Sequence, residues 1–207
     1  ERGYNMMKAE TVRRSVVDYT KQEMIRQGVT RLTMDTIAQG LGMSKRTLYQ
    51  LFPGKVCLVQ ICLGDISGEK RRLLLQYEDS SRSCIETLFD VAREYVVLIH
   101  YLGRTLLTDL TVDIDYQPFV KREEAFWLQQ FVDALNRCKA CGYLLPGTDP
   151  DRFSYDLTTN IYENCLRGVS YTAQRFFCRA LLRGIFRADA IPAIDENLEQ
   201  YIPVSCS

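Results

Sequence analysis

A single glycine, Gly42, sits between two short stretches whose apolar residues recur at helical spacing, TMDTIAQGL before it and MSKRTLYQLF after it. Each stretch opens on a capping residue. Thr33 can accept from the free amides at the start of one helix, with Asp35 in its first turn where a negative charge suits the dipole, and Ser44 can cap the next. Ile37, Ala38 and Leu41 share the inner face of the first helix, and Leu48 and Phe52 face inward from the second. Gly42 can take the left-handed conformation that the sharp turn between them requires, while Met43 drops into the gap. These features specify a helix-turn-helix, with Lys45, Arg46, Tyr49 and Gln50 on the exposed face of its second helix.

The rest of the chain keeps the same periodicity, and the fold class it predicts is all-α. A first helix is expected from about residue 8 to 27, with Val12, Val16, Tyr19 and Glu23-Met24 inward and Gly28 ending it. After the motif a long helix covers about 55–77, interrupted in propensity by Gly64 and Gly68. EDSSRS breaks the pattern, and Ser83 with Glu86 forms a capping box for a helix to about Tyr101, followed by a short piece at 103–112. Pro118 opens a further helix that stops before Gly142. Asp149 and Pro150 start another that reaches about Val169, and a last one covers about 171–189. Residues 191–207 carry two prolines and predict a tail with at most one short turn.

Charge divides the chain as the motif does. Lys plus Arg and Asp plus Glu are equal at 26 each, yet residues 1–60 hold ten basic and five acidic side chains, and the remainder is net acidic. A basic segment around an exposed helix face suits a polyanion. The hydrophobic content of 46% is enough for a sizeable core. Eight cysteines, at 57, 62, 84, 138, 141, 165, 178 and 206, fall mostly in apolar helical patterns, where a free thiol behaves as a small hydrophobe. No opening stretch resembles a signal peptide, and the longest apolar run, YVVLIHYL, is far short of the roughly 20 residues a membrane-spanning helix needs. A reducing cytoplasm is the expected location, with no membrane partner.

In the order and gaps of Met24-Ile25, Gly28, Thr33, Ile37-Ala38, Gly42, Ser44, Thr47-Leu48-Tyr49, Phe52, Lys55 and Leu58, the chain resembles the tetracycline-repressor (TetR) family of bacterial transcription regulators. It departs from the family pattern at Tyr19-Thr20, Val29, Gly54 and Val56. The resemblance implies a DNA-binding domain over 1–54 and a helical effector and dimerisation domain over 55–207. It also implies a homodimer on a palindromic double-stranded operator, released by a small-molecule effector, with repression as the usual outcome. On the chemistry of base edges, Lys45 and Arg46 suit guanine and Gln50 suits adenine. Thr33, Thr36, Ser44, Thr47, Tyr49 and Lys55 suit the sugar-phosphate backbone, Lys55 at a helix start that already attracts phosphate. A rival reading is an all-α interaction protein whose motif serves assembly and has no specific operator.

Beyond residue 60 the residues speak less directly. Aromatic groups crowd the middle, and Tyr95, Tyr101, Trp127 and the sole histidine, His100, are the candidates for contact with an effector. Cys138 and Cys141 have CxxC spacing, but a zinc site would need two more ligands, so two helical cysteines on adjacent turns is the plainer reading. No metal, cofactor or catalytic constellation is expected. Phe153, Leu157, Ile161 and Cys165 on one helix and Phe176, Phe177, Leu181 and Ile185 on the next suggest a two-fold, four-helix dimer interface.

Overall fold

The computed structural model describes residues 2–78 and 82–199, with side chains over 10–77 and 82–195. Its helices are α1 (Arg2–Gln27), α2 (Met34–Gly40), α3 (Lys45–Leu51), α4 (Lys55–Glu78), α5 (Cys84–Val112), α6 (Gln117–Ala140), α7 (Pro150–Leu166), α8 (Tyr171–Gly184) and α9 (Ile191–Glu199). The described residues divide into two compact units, one within Glu1–Arg71 and Tyr101–Glu123, the other within Arg72–His100 and Glu124–Ser207. The first holds the helix-turn-helix but also most of α4, the far part of α5 and the start of α6. No single helix among the described residues is long and apolar enough to cross a membrane.

In the first unit α1 turns Val16, Val17, Thr20 and Met24 into the core, where they meet Val29, Leu32, Ile37, Leu48 and Phe52. Val12, Tyr19 and Glu23, expected on that inner side, are only half-buried. The hydroxyl of Thr20 is satisfied on its own helix, donating to the Val16 carbonyl at 2.7 Å. Tyr19 is accommodated by a missing side chain: a Cβ on Gly40 would lie 1.8 Å from the tyrosine oxygen. α4 runs unbroken through Gly64, which faces open space. The separate piece expected at 103–112 is the continuation of α5 past a break at Gly103, where φ is 71° and ψ 162°. Asp109 on this far half accepts from the Thr30 amide at 2.8 Å, tying α5 to the turn after α1.

The second unit buries Leu88, Phe131, Ala134, Leu135, Ile161 and Leu182. Its helix starts follow the expected chemistry. The Ser83 amide donates to Glu86 at 2.8 Å and the Glu86 amide to the Ser83 hydroxyl at 3.2 Å, while Asp149 accepts from the amides of Asp151 and Arg152. Two expectations fail near the end. α8 stops at Gly184, because residues 185–187 extend alongside 143–145: the Leu145 amide donates to the Ile185 carbonyl and the Arg187 amide to the Tyr143 carbonyl. Where little more than a turn was expected, Ile191–Glu199 is a helix. Pro192 sits in its first turn, where no amide donor is needed, Ile194 is fully buried, and Asp195 receives both nitrogens of the Arg183 fork at 2.9 Å. These tertiary anchors leave no trace in local periodicity. Residues 79–81 of the expected break, and 200–207 of the expected tail, lie outside the described residues.

Candidate nucleic-acid interface

The motif is capped as its residue types require. The Thr33 hydroxyl accepts from the Thr36 amide and the Thr36 hydroxyl accepts from the Thr33 amide, both at 3.1 Å. Gly42 takes φ 62°, and the Met43 amide closes the turn on the Ala38 carbonyl at 3.0 Å. Ser44 accepts from the Thr47 amide at 3.1 Å, and the Ser44 and Thr47 hydroxyls lie 2.8 Å apart. Thr33, Thr36, Ser44 and Thr47 are therefore capping residues that remain exposed, with hydroxyls at the two helix starts.

Behind α3, Leu48 and Phe52 are fully buried. Arg13, which sequence reasoning missed, completes the lock from α1. Its guanidinium donates to the Leu51 carbonyl at 2.7 Å and sits 4.4 Å above the Phe52 ring, so one side chain satisfies the C-terminal end of α3 and covers its apolar anchor. The neighbouring Arg14 points to α4 instead, reaching Asp65 at 3.2 Å, and Lys21 reaches the same carboxylate at 2.6 Å. α1 thus holds α3 through Arg13 and α4 through Arg14 and Lys21. Burial opposes charge on Lys21, but its acidic neighbours leave its pKa raised. The hydrogen bond from Lys21 holds Asp65 below the usual carboxylate range against the effect of burial.

On the open face, Arg46, Tyr49 and Gln50 are exposed, with Tyr49 51% accessible. Arg46 and Gln50 make no hydrogen bond or ion pair among the described residues. Lys45 is engaged, its ammonium lying against the Asp35 carboxylate on α2. Such exposed pairs are worth about 0–1 kcal/mol, so Lys45 is readily released to a stronger anion. Lys55, half-buried, begins the 24 residues of α4. The helix-turn-helix therefore presents a capped, exposed face on which the cationic Arg46 lies beside Tyr49 and Gln50.

The sequence profile described as "Bacterial regulatory proteins, tetR family" matches residues 16–60. The N-terminal segment is a tetR-family domain. Solved structures extend the likeness to the whole fold. A gamma-butyrolactone receptor described as ArpA-like shares 19% identity over 95% of this chain and 100% of its own, with a TM-score of 0.73. A protein of Saccharomonospora viridis, described as a transcriptional regulator and solved in complex with choline, shares 16% over 86% of this chain and 99% of its own, at 0.76. The ketosteroid transcriptional regulator KstR2 of Mycobacterium tuberculosis shares 17% over 84% of this chain and 95% of its own, at 0.65. No curated protein matches the chain. The tetR-family segment carries every residue singled out above for nucleic-acid contact, and the second unit shares the fold of these regulators.

The residues expected at an effector lie partly together. Tyr95 and Trp127 touch, with ring centroids 5.3 Å apart, and Phe131 meets Tyr95 edge-on at 5.8 Å. Burial pushes the Tyr95 hydroxyl well above the ordinary phenol range and lowers the His100 pKa, favouring its neutral form. His100 meets Tyr171 edge-on at 5.7 Å. Tyr101 belongs to the first unit and is 48% exposed. Buried atoms without a hydrogen-bond partner include His100 Nε2, Trp127 Nε1, Ser154 Oγ and both amide atoms of Gln174, one residue on each of α5, α6, α7 and α8. Sequence reasoning missed Ser154 and Gln174, each a polar residue inside a helical apolar stripe.

Cys138 is buried and donates to the Cys84 carbonyl at 3.3 Å, while Cys141 is exposed. Burial holds the Cys138 thiol far above the ordinary thiol range, the reverse of what a reactive thiolate needs. Among the described residues no group of three or more His, Cys, Asp or Glu side chains is placed to hold a metal ion.

Proposed function

We propose that this chain is a ligand-responsive transcriptional repressor that binds a palindromic operator as a homodimer. The observation that carries the reading is the geometry of α3: capped at one end by Ser44, held at the other by Arg13, locked behind by Leu48 and Phe52, and open on the face of Arg46, Tyr49 and Gln50. A helix so fixed enters a major groove without ordering cost. Arg46 with Gln50, and Lys45 once it leaves Asp35, read base edges, while Thr33, Thr36, Ser44, Thr47, Tyr49 and Lys55 engage the backbone.

Two features of the second unit support the rest. Phe176 is 75% exposed, Tyr155 56%, and Phe177 is also open, an apolar surface on α7 and α8 that a second copy would cover. Leu157, Ile161 and Cys165, expected on that surface, are instead buried in their own chain, so the interface we propose centres on Tyr155, Phe176 and Phe177. The unpartnered atoms of His100, Trp127, Ser154 and Gln174 each forgo a hydrogen bond, and a small molecule with both polar and apolar parts would supply the missing partners. Such an effector lowers operator affinity only through its differential affinity for the DNA-bound and free states. α4, clamped to α1 through Asp65, is the element that would carry the change to α3.

Selection of bound duplexes from a random library, followed by affinity measurements, tests the reading. Arg46→Ala should lose discrimination between the selected and scrambled duplex, and Lys55→Ala should weaken both alike. Failure to enrich any sequence, with affinity equal across duplexes, would favour an assembly role for the motif.

A further inference from the structure

A groove with its own chemistry lies where α5 faces α8. Phe89, Ala92, Arg93 and Val96 recur on one stripe of α5, and Tyr171, Arg175, Cys178, Arg179 and Leu182 on one stripe of α8. Together with Asp90 they line a groove that is partly open to solvent. The floor is apolar, since Ala92, Val96, Cys178 and Leu182 are all buried. The rim carries Arg93, Arg175 and Arg179 and one carboxylate, Asp90. Asp90 is already bound by Arg82 and, at 2.8 Å, by Arg93. Asp195, the carboxylate that acts on Arg179, receives two hydrogen bonds from Arg183.

Arg179 is left over. It makes no hydrogen bond or ion pair among the described residues, although it is partly buried and has Arg175 one turn before it. Burial and the charge of Arg175 both disfavour its cationic form, with Asp195 only a weaker counterweight. Guanidinium stays charged under all ordinary conditions. A fixed cation in a partly dry, cation-rich setting above an apolar floor lacks a planar anion that accepts two parallel hydrogen bonds.

We infer that this groove binds an organic acid with an apolar body, its carboxylate on Arg179 and its hydrocarbon part along Phe89, Val96 and Leu182. A neutral amphiphile of the same length would gain the floor but leave the guanidinium unanswered. A cationic one would add repulsion. The specificity is therefore for charge at one end, and it resides in one arginine.

Calorimetric titration of the DNA-free protein with decanoate, decanol and decyltrimethylammonium, each kept below its micellar concentration, tests this. Decanoate should bind at least tenfold more tightly than either of the others. Arg179→Met should weaken decanoate at least tenfold and leave decanol unchanged, Arg179→Lys should restore part of the loss, and Arg167→Met, which removes a cation paired with Glu163 on α7, should change nothing. Equal affinity for decanoate and decanol in the wild-type protein, or full decanoate affinity in a folded Arg179→Met variant, would overturn the assignment. Because no DNA is present, neither result bears on whether the motif reads an operator.

Discussion

In the first unit the fully buried Thr20 hydroxyl donates to the Val16 carbonyl, whereas in the second the equally buried Ser154 hydroxyl and both amide atoms of Gln174 have no partner. The only comparable atom of the first unit among the described residues is Glu123 Oε2, and its sister oxygen accepts from Arg71 at 2.7 Å. Arg13, Arg14 and Lys21 are each spent on holding helices together, while Arg179 faces a cavity with nothing to hold. A buried polar group without a partner costs about 1–3 kcal/mol, so a region that keeps several has given up stability in return for something else. The difference teaches that the first unit satisfies nearly all its buried polar groups as folded, and that the second leaves several of its own unfinished.

The largest effect should come from breaking the finished unit at its lock. Phe52→Ala removes a fully buried ring and the surface on which Arg13 rests, and truncations of this kind cost about 3–5 kcal/mol. Urea unfolding followed by circular dichroism measures it, and DNA affinity should fall with stability. A loss under about 1 kcal/mol would mean that α3 is held by something other than this lock.

The unfinished unit should respond in the opposite direction. Gln174→Met keeps the side-chain length and removes two unsatisfied atoms, so the effector-free protein should gain about 1–3 kcal/mol. Trp127→Phe should likewise cost less than its lost area implies, because the indole N–H it deletes has no acceptor. The same denaturant titration reads both. Destabilisation by more than about 1 kcal/mol in Gln174→Met would show that its amide is satisfied in solution, and the contrast between the units would fail.

How much could be read in advance follows the same division. Thr33, Gly42, Ser44, Leu48 and Phe52 act through neighbours three to five residues away, so caps, turn and lock are visible as spacing, and the start of the α5 capping box is visible for the same reason. Arg13 acts 38 residues away on Leu51, and the Tyr19–Gly40 contact joins two helices, so neither announces itself locally. In the second unit the orphaned Ser154 and Gln174 look like minor irregularities in an apolar stripe. α9 was missed because Ile194 and Asp195 are anchored by distant partners, and the end of α8 because a two-residue bridge to Leu144 interrupts a pattern that still reads as helical.

A smaller effect should sharpen the comparison within α4, which contributes to both units. Gly64 is exposed and a Cβ there meets nothing within 4 Å, so the residue serves no close approach. Gly64→Ala should stabilise the protein by up to about 1 kcal/mol through helix propensity alone. Differential scanning calorimetry would resolve it as a rise in Tm. A fall in Tm would indicate that the helix is bent at this position in solution.

The smallest effect at neutral pH, and the most direct comparison of the two environments, concerns two carboxylates that each face two cations. Asp65 in the first unit is held below the ordinary carboxylate range, chiefly by the hydrogen bond from Lys21, with Arg14 adding to it. Asp90 in the second is raised, because burial outweighs the attraction of Arg93 and Arg82. The signs then separate. Asp65, depressed on folding, contributes stability that is present above its unfolded pKa of about 3.9 and is lost as pH falls through its lower folded value. Asp90, raised on folding, works the other way: its contribution is present below the unfolded pKa and lost as pH rises through the folded one. Carboxyl carbon shifts followed from pH 7 to pH 2.5 should show Asp65 titrating last and Asp90 first among the two. At pH 7 the Asp65 pairs, partly open to solvent, should be worth no more than about 1 kcal/mol, so Asp65→Asn should be nearly silent there and its remaining deficit should vanish in acid. Titration of both carboxylates on the same side of the ordinary value would show that the arginines around Asp90 prevail over its burial, and that its neighbourhood is as fully paired as the clamp between α1 and α4.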